Sequence, residues 1–129
     1  MASCELVGEV IDDNRGTVLC RRLVLARSTG SRMRGLLGRA AMEPECGMLF
    51  LTPAWFPIAW MHTCGMRFAI DIVFLDGRNR ILRINRDVAP WRFSALVPKA
   101  RRVLELAAGS AARAGCQKGD LLRLPGLLP

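Results

Sequence analysis

Short apolar runs separated by turn-forming residues dominate the chain, and their period is mostly that of extended strands. Leu6–Ile11 and Thr17–Ala26 read as two strands around the polar turn Asp12-Asp13-Asn14-Arg15-Gly16. In the second strand Val18, Cys20, Leu23 and Leu25 offer a buried face. The period slips at Arg21-Arg22, which predicts a bulge or bend there. Spacing then turns helical: Ser28 or Thr29 caps a short helix over Thr29–Leu37, with Met33, Leu36 and Leu37 inward and Gly38 closing it. Gly35 costs that helix stability and so predicts close backbone packing.

Strand signals return at Gly47–Leu51 and, after a proline-broken loop carrying Trp55 and Phe56, at Ile58–Met61. Phe68–Leu75 is the clearest strand, apolar throughout except for Asp71. Asp76-Gly77 is a hairpin signal leading into Arg80–Asp87. Arg102–Ala107 follows as a strand, Ser110–Ala114 as one or two helical turns closed by Gly115, and Leu121–Leu124 as a last strand after Gly119-Asp120. About seven short strands and two small helices predict a mostly β (α+β) domain, its antiparallel sheet curled into a barrel-like shape. No strand–long helix–strand unit occurs, which excludes a doubly wound fold.

Composition narrows this picture. An apolar content of 51% excludes a disordered chain, and 129 residues without a linker-like stretch predict one domain over 1–129, with a core from about 5 to 124. The net charge of +8 comes almost wholly from arginine and raises the question of an anionic partner. Seven arginines and no acid lie between Arg15 and Arg39, a segment suited to bidentate contact with phosphate or carboxylate. The blander reading is a solvated basic surface. A single-strand nucleic-acid binder interleaves aromatics with its basic residues. This segment has none, so nucleic acid is not the expected partner.

The five cysteines, Cys4, Cys20, Cys46, Cys64 and Cys116, are irregularly spaced and contain no C-x-x-C. They predict neither a zinc site nor a disulfide framework, and fit a reduced, cytoplasmic compartment. Glu5 and Glu9 stand where a secretory apolar core would begin, so no signal segment is expected. The most apolar run, Met48 to Met61, is too short for a bilayer and is broken by Pro53 and Pro57.

Candidate chemistry concentrates in Trp60-Met61-His62-Thr63-Cys64-Gly65-Met66, which holds the only histidine. His, Cys and Met form a soft-ligand set, but no second compact cluster completes a coordination sphere, so no metal or cofactor is expected. Cys64 as a nucleophile beside His62 lacks a helix start or glycine turn to activate it. Asp71, a carboxylate inside an apolar strand, needs a partner or an opening: it is either a pocket acid or half of a structural ion pair, with Arg34, Arg39, Arg67 or His62 as candidate donors. Glu105, flanked by Leu104 and Leu106, is expected on the outward face of its strand. The common phosphate-cradling, zincin and nucleophile-elbow motifs are all absent.

Six blocks in order carry a resemblance: Arg32-Met33-Arg34-Gly35-Leu36-Leu37-Gly38-Arg39, Gly47-Met48-Leu49-Phe50, Trp60-Met61-His62-Thr63, Ile70-Asp71-Ile72-Val73-Phe74-Leu75, Leu104-Glu105-Leu106 with Gly109, and Gly119-Asp120. Together they resemble the domain of unknown function 192 family, over about four fifths of the chain. The resemblance implies a compact, largely β, barrel-like protein of bacterial or archaeal type, with no activity attached. It singles out Arg34, Gly35, Arg39, Trp60, Met61, His62, Thr63, Asp71 and Glu105. Two positions depart from the pattern: Cys64, where relatives often carry a bulkier residue, and Ala69, where proline is frequent.

The expectation is therefore a small-ligand-binding or interaction module. Trp60, Met61, His62, Thr63 and Asp71 would line its pocket beside Arg34, Arg39 and Glu105, for a ligand with an anionic or hydrogen-bonding group. One alternative is a small enzyme using His62 and Asp71 as acid and base. The other is weak nucleic-acid binding through Arg15–Arg39.

Overall fold

The computed structural model describes residues 4–26, 42–52, 58–59, 63, 66–94 and 96–126, with only the backbone for 4–7, 26 and 58–59. Nine strands run in order: β1 (Cys4–Asp12), β2 (Thr17–Ala26), β3 (Cys46–Leu51), β4 (Ile58–Ala59), β5 (Ile70–Leu75), β6 (Ile81–Val88), β7 (Val97–Pro98), β8 (Arg102–Ala107) and β9 (Leu122–Arg123). The helix α1 (Ser110–Ala114) lies between β8 and β9, and it is the only helix among the described residues. The expected helix over Thr29–Leu37 lies outside them.

Seven strands form one sheet in the order β6-β5-β8-β3-β2-β1-β9, and β4 pairs with β7 separately. The two ends of this order meet. Arg80, just before β6, bridges Leu121, just before β9. The Ile81 N–H donates to the Asp120 carbonyl at 2.8 Å, and the Leu122 N–H to the Asn79 carbonyl at 2.9 Å. The sheet is thus curled, as expected, and closed at one end of its seam.

One expectation needs correction: the sheet is mixed, not purely antiparallel. β2 and β3 are parallel, with Val24 opposite Met48 and Leu25 opposite Leu49. Parallel neighbours need a long return connection, and residues 27–45 supply it. The predicted slip in β2 is a bulge: Gly8 faces Leu23 and Val10 faces Cys20, so Arg21 and Arg22 together oppose Glu9. Both their N–H groups turn away from β1 to the Glu45 carbonyl.

Apolar side chains cover both faces. The inner cluster draws on β1, β2, β3, β5, β6, β8, β9 and α1, including Leu23, Leu49, Val73, Leu104, Leu106, Ala111 and Leu122. The outer cluster takes the alternate residues of β5 and β8, Ile72, Phe74, Val103 and Ala107, with Met42, Met48, Met66 and Val97. Burial on both faces explains why β5 is almost continuously apolar. Where β2 and β3 meet β8, a Cβ on Gly47 would stand 2.8 Å from Cys20 Sγ, so only glycine fits.

The β5–β6 hairpin forms where Asp76-Gly77 predicts it, but by a different device. The Asp76 carboxylate accepts from the N–H groups of Arg78 (2.8 Å) and Arg80 (3.0 Å), and Asn79 takes the left-handed conformation at φ 68°.

Candidate functional site

Arg34, Arg39, Trp60, Met61 and His62 lie outside the described residues. Thr63, Asp71 and Glu105 are described, and all three are fully buried.

Asp71 joins two irregular pieces of backbone. In β6 the register shifts opposite it, Ile70 pairing with Val88 and Ile72 with Asn85, which leaves Arg86 and Asp87 as a bulge. Asp87 takes the left-handed conformation there, and its N–H donates to Asp71 Oδ1 at 2.8 Å. Asp71 Oδ2 accepts from the N–H groups of Gly109 (3.1 Å) and Ala111 (2.9 Å). These are the first free donors of α1, whose N-cap residue, Gly109, has no side chain to satisfy them. The carboxylate of a distant strand therefore caps the helix. Its donors are backbone amides rather than the arginines or histidine the sequence suggested, and using it as a base would break these bonds.

Thr63 is equally committed. Its hydroxyl donates to the Ala89 carbonyl at 2.7 Å and accepts from the Arg92 N–H at 2.9 Å. Its own N–H donates to the Arg92 carbonyl, and its carbonyl accepts from Trp91 and Met66. These bonds fix the turn after β6 with Trp91 at φ 61°, a conformation that bulky residues rarely adopt. Trp91 itself is 65% exposed. Glu105 does not face solvent as expected. It shares the outer face of β8 with Val103 and Ala107, opposite Met48 and Ile72, because that face is itself covered.

The basic segment also changes character in three dimensions. Arg15 Nε lies 2.7 Å from Asp120, Arg21 pairs with Glu9 and Glu45, and Arg22 pairs with Glu43. The acids absent from the local sequence arrive from β1, the turn before β3 and the residues before β9. Arg27, Arg32, Arg34 and Arg39 lie outside the described residues.

A second acidic arrangement has no precedent in the sequence reading. Asp12, at the end of β1, is fully buried beside Asp120. Its Oδ1 accepts from Asn14 and Arg15 N–H groups. Burial, and then the hydrogen bond and like charge of Asp120, push the Asp12 carboxyl up to about 6. The hydrogen bond from Asp12 and the Arg15 guanidinium hold Asp120 below the usual range, against the opposing effect of burial. The two acids lie together where β1, β9 and the first turn meet. Burial likewise pushes the Cys20 thiol up to about 12 and the Cys116 thiol up to about 11. Cys20, Cys46 and Cys116 are free thiols.

An opening stands apart from the described candidates Thr63, Asp71 and Glu105, none of which lines it. A cleft of about 770 Å³ lies beside β6, between Leu82, Arg83, Ile84 and Arg86 on the strand, Leu96, Val97 and Pro98 around β7, and Gln117 and Lys118 before β9. Arg83 Nε donates to Asn85 Oδ1, and Arg86 Nη2 donates to the Cys116 carbonyl. Among the described residues, none of Arg83, Arg86 and Lys118 forms an ion pair with a carboxylate. Cations without a salt-bridge partner among the described residues thus line this cleft, whereas Arg15, Arg21 and Arg22 are paired, although Arg86 also borders an opening with Asp71 and Asp87. Sequence reading missed the cleft because its residues come from three separated segments, and only the alternation in Ile81-Leu82-Arg83-Ile84-Asn85-Arg86 hinted at it. No group of His, Cys, Asp and Glu side chains suited to a metal occurs among the described residues. Among them, no helix is long and apolar enough to cross a membrane.

Comparison with known proteins agrees with this fold. The DUF192 family, described as an uncharacterized ACR, matches residues 10–124. A crystal structure of a protein of unknown function from Novosphingobium aromaticivorans is similar at 27% identity and a TM-score of 0.76, over 92% of this chain and 85% of that one. Another, from Sinorhizobium meliloti and provisionally named a transcription regulator, is similar at 28% identity and a TM-score of 0.73, over 93% and 92%. No curated protein matches the sequence.

Proposed function

The chain belongs to the DUF192 family, and we propose that it is a binding module whose ligand, an anion with an apolar part, occupies the cleft beside β6. One observation carries this reading: apolar walls from Leu82, Ile84, Leu96, Val97 and Pro98 converge with three cationic side chains that no described carboxylate neutralises. Apolar enclosure with a few directed polar groups is the usual form of a ligand site. The acid–base alternative loses support because Asp71 is fully buried and holds three N–H groups. The name given to the Sinorhizobium meliloti protein belongs to that protein. In this chain, pairing of Arg15, Arg21 and Arg22 with acids weighs against a phosphate-binding face there. The free thiols Cys20, Cys46 and Cys116 support a reducing, cytoplasmic setting.

A matched pair of probes tests the proposal. 8-Anilinonaphthalene-1-sulfonate and N-phenyl-1-naphthylamine share an apolar skeleton, but only the first is an anion. The wild-type protein should enhance fluorescence of the sulfonate at least tenfold more strongly in affinity, about 1.4 kcal/mol of preference. The double variant Arg83→Glu, Lys118→Glu should lose that preference while melting normally. Equal binding of both probes, or no effect of charge reversal, would overturn it.

A further inference from the structure

β6 is the terminal strand of the seven-strand order, and among the described residues the seam closes on it only at its beginning. Ile81 is bracketed by the closing strand: its N–H donates to the Asp120 carbonyl and its carbonyl accepts from the Gly119 N–H, both at 2.8 Å. From Leu82 to Val88, β5 lies along one side and no described strand lies along the other. The register with β5 sets Arg83 opposite Phe74, Ile84 opposite Val73 and Asn85 opposite Ile72. Phe74 belongs to the outer cluster and Val73 to the inner one, so Arg83 and Ile84 point to opposite faces of the sheet. Both nevertheless line the same cleft. A cleft bordered by residues from both faces of a strand runs along that strand's edge. Its flanks agree with this: Val97 belongs to the outer cluster, whereas Gln117 and Lys118 follow Cys116 of the inner one.

We infer that this edge is a strand-addition site: an extended acidic peptide segment of a partner protein pairs with the outer backbone of β6 and fills the open part of the seam. The inference rests on the cleft being the binding site, and it names the occupant. An exposed edge presents a row of N–H and C=O groups, which another strand satisfies and a compact small molecule does not. Cleft length favours the same occupant, since the lining spans Leu82 to Arg86 of the strand. The peptide's charge follows from Arg83, Arg86 and Lys118. Arg86 is held across the seam by its bond to the Cys116 carbonyl, so its charge is fixed in place. Apolar side chains alternating with the acids would rest on the Ile84 side of the edge, opposite the face that carries Arg83. A second copy of this chain fits poorly, because pairing two β6 edges would oppose Arg83 and Arg86 of each copy in a protein of net charge +8.

The test uses a capped, fluorescein-labelled hexapeptide of alternating glutamate and valine. Its controls are the lysine–valine counterpart and the glutamate–valine sequence N-methylated at every peptide bond. Fluorescence anisotropy should show the acidic peptide binding at least tenfold more tightly than either control, and the Arg83→Glu, Lys118→Glu variant should lose it. Amide hydrogen exchange across Leu82–Val88 should slow when the acidic peptide is bound. Undiminished binding of the N-methylated peptide, or unchanged exchange in β6, would overturn strand addition while leaving the naphthalene-sulfonate result intact. A concentration-dependent dimer of the free chain with β6 amides already protected would also overturn it, in favour of a second copy. If neither the sulfonate probe nor the peptide responds to charge reversal, the cleft itself is not the site.

Discussion

Replacing Asp71 by Asn tests whether this carboxylate holds the fold or serves a ligand. Asn keeps one acceptor oxygen and puts an amide donor in place of the other. If the oxygen replaces Oδ2, the Asp87 N–H loses its acceptor. If it replaces Oδ1, the Gly109 and Ala111 N–H groups lose theirs. Each buried donor left unsatisfied costs about 1–3 kcal/mol, and the remaining bonds weaken with the charge. The native state will settle in the cheaper orientation, so the expected loss is about 1–3 kcal/mol. For a chain of this length, 1 kcal/mol corresponds to roughly 4 °C in Tm, so Asp71→Asn should melt about 4–12 °C lower. Asp71→Ala orphans all three donors and should cost up to about three times as much. Melting followed by circular dichroism gives the global value, and amide exchange at Asp87, Gly109 and Ala111 gives the local one. Those three amides, one in β6 and two at the start of α1, should exchange faster than in the wild type. An Asn variant melting within about 2 °C of wild type, with exchange unchanged, would refute the capping role. Unchanged melting together with lost naphthalene-sulfonate binding would assign the carboxylate to the ligand instead.

Three further outcomes follow from the packing and the charges. Gly47→Ala should destabilise by about 1–3 kcal/mol, because its Cβ would lie 2.8 Å from Cys20 Sγ. Adding Cys20→Ala should recover part of that loss in urea denaturation, and no recovery would place the strain elsewhere. Thr63→Val should cost about 1–3 kcal/mol by removing the hydroxyl between Ala89 and Arg92; a melt equal to wild type would show that the turn holds Trp91 without it. Asp12 stands at about 6 in the folded chain against an ordinary 3.8, so the folded state binds this proton more tightly than the unfolded one. Its contribution to stability therefore falls as pH rises from about 4 to 6 and is flat above, whereas Asp120, held low, withdraws stability only as pH falls below its ordinary range. In Asp12→Asn the side chain does not titrate, so the Tm of wild type minus variant should decline from pH 4.5 to 7; parallel curves would refute the raised Asp12 carboxyl.

What the sequence made legible and what it hid divide by the range of the interaction. Bulge, hairpin, the Asp12–Gly16 turn and the extent of α1 all depend on residues near in sequence, and each is where the pattern places it. The bulge at Arg21-Arg22 is the clearest case, since a slip of period in one strand is itself the local mark of an extra residue. The parallel β2–β3 pair was hidden, because strand periodicity is the same in either direction and only the connection 27–45 decides. The two-residue strand β7 carries too little pattern to separate from loop and is absent from the sequence expectation, whereas the expected piece Ile58–Met61 is met at Ile58–Ala59 and its remainder lies outside the described residues.

The acids show the same division in its chemical form. Composition identified Asp71 and Glu105 as unusual, correctly, since a carboxylate among apolar neighbours must be compensated. It then looked for compensation in side chains, where cations are visible as letters. Asp71 is compensated by backbone N–H groups, which every residue except proline carries and no sequence pattern marks. The need for them arises 38 and 40 residues downstream, where Gly109 begins a helix without a capping side chain of its own. Charge in Arg15–Arg22 misled for the converse reason: acids from β1, the 43–45 turn and the end before β9 neutralise it in space but not in sequence. The arginines of β6 looked like an ordinary exposed face, yet they keep their charge because their hydrogen bonds go to a carbonyl and an amide. A carbonyl fixes a guanidinium without cancelling it, so the positions held by neutral acceptors are the ones left able to attract an anion. That distinction, rather than the density of arginine along the chain, is the basis for proposing a site at the edge of β6 that no described strand pairs with.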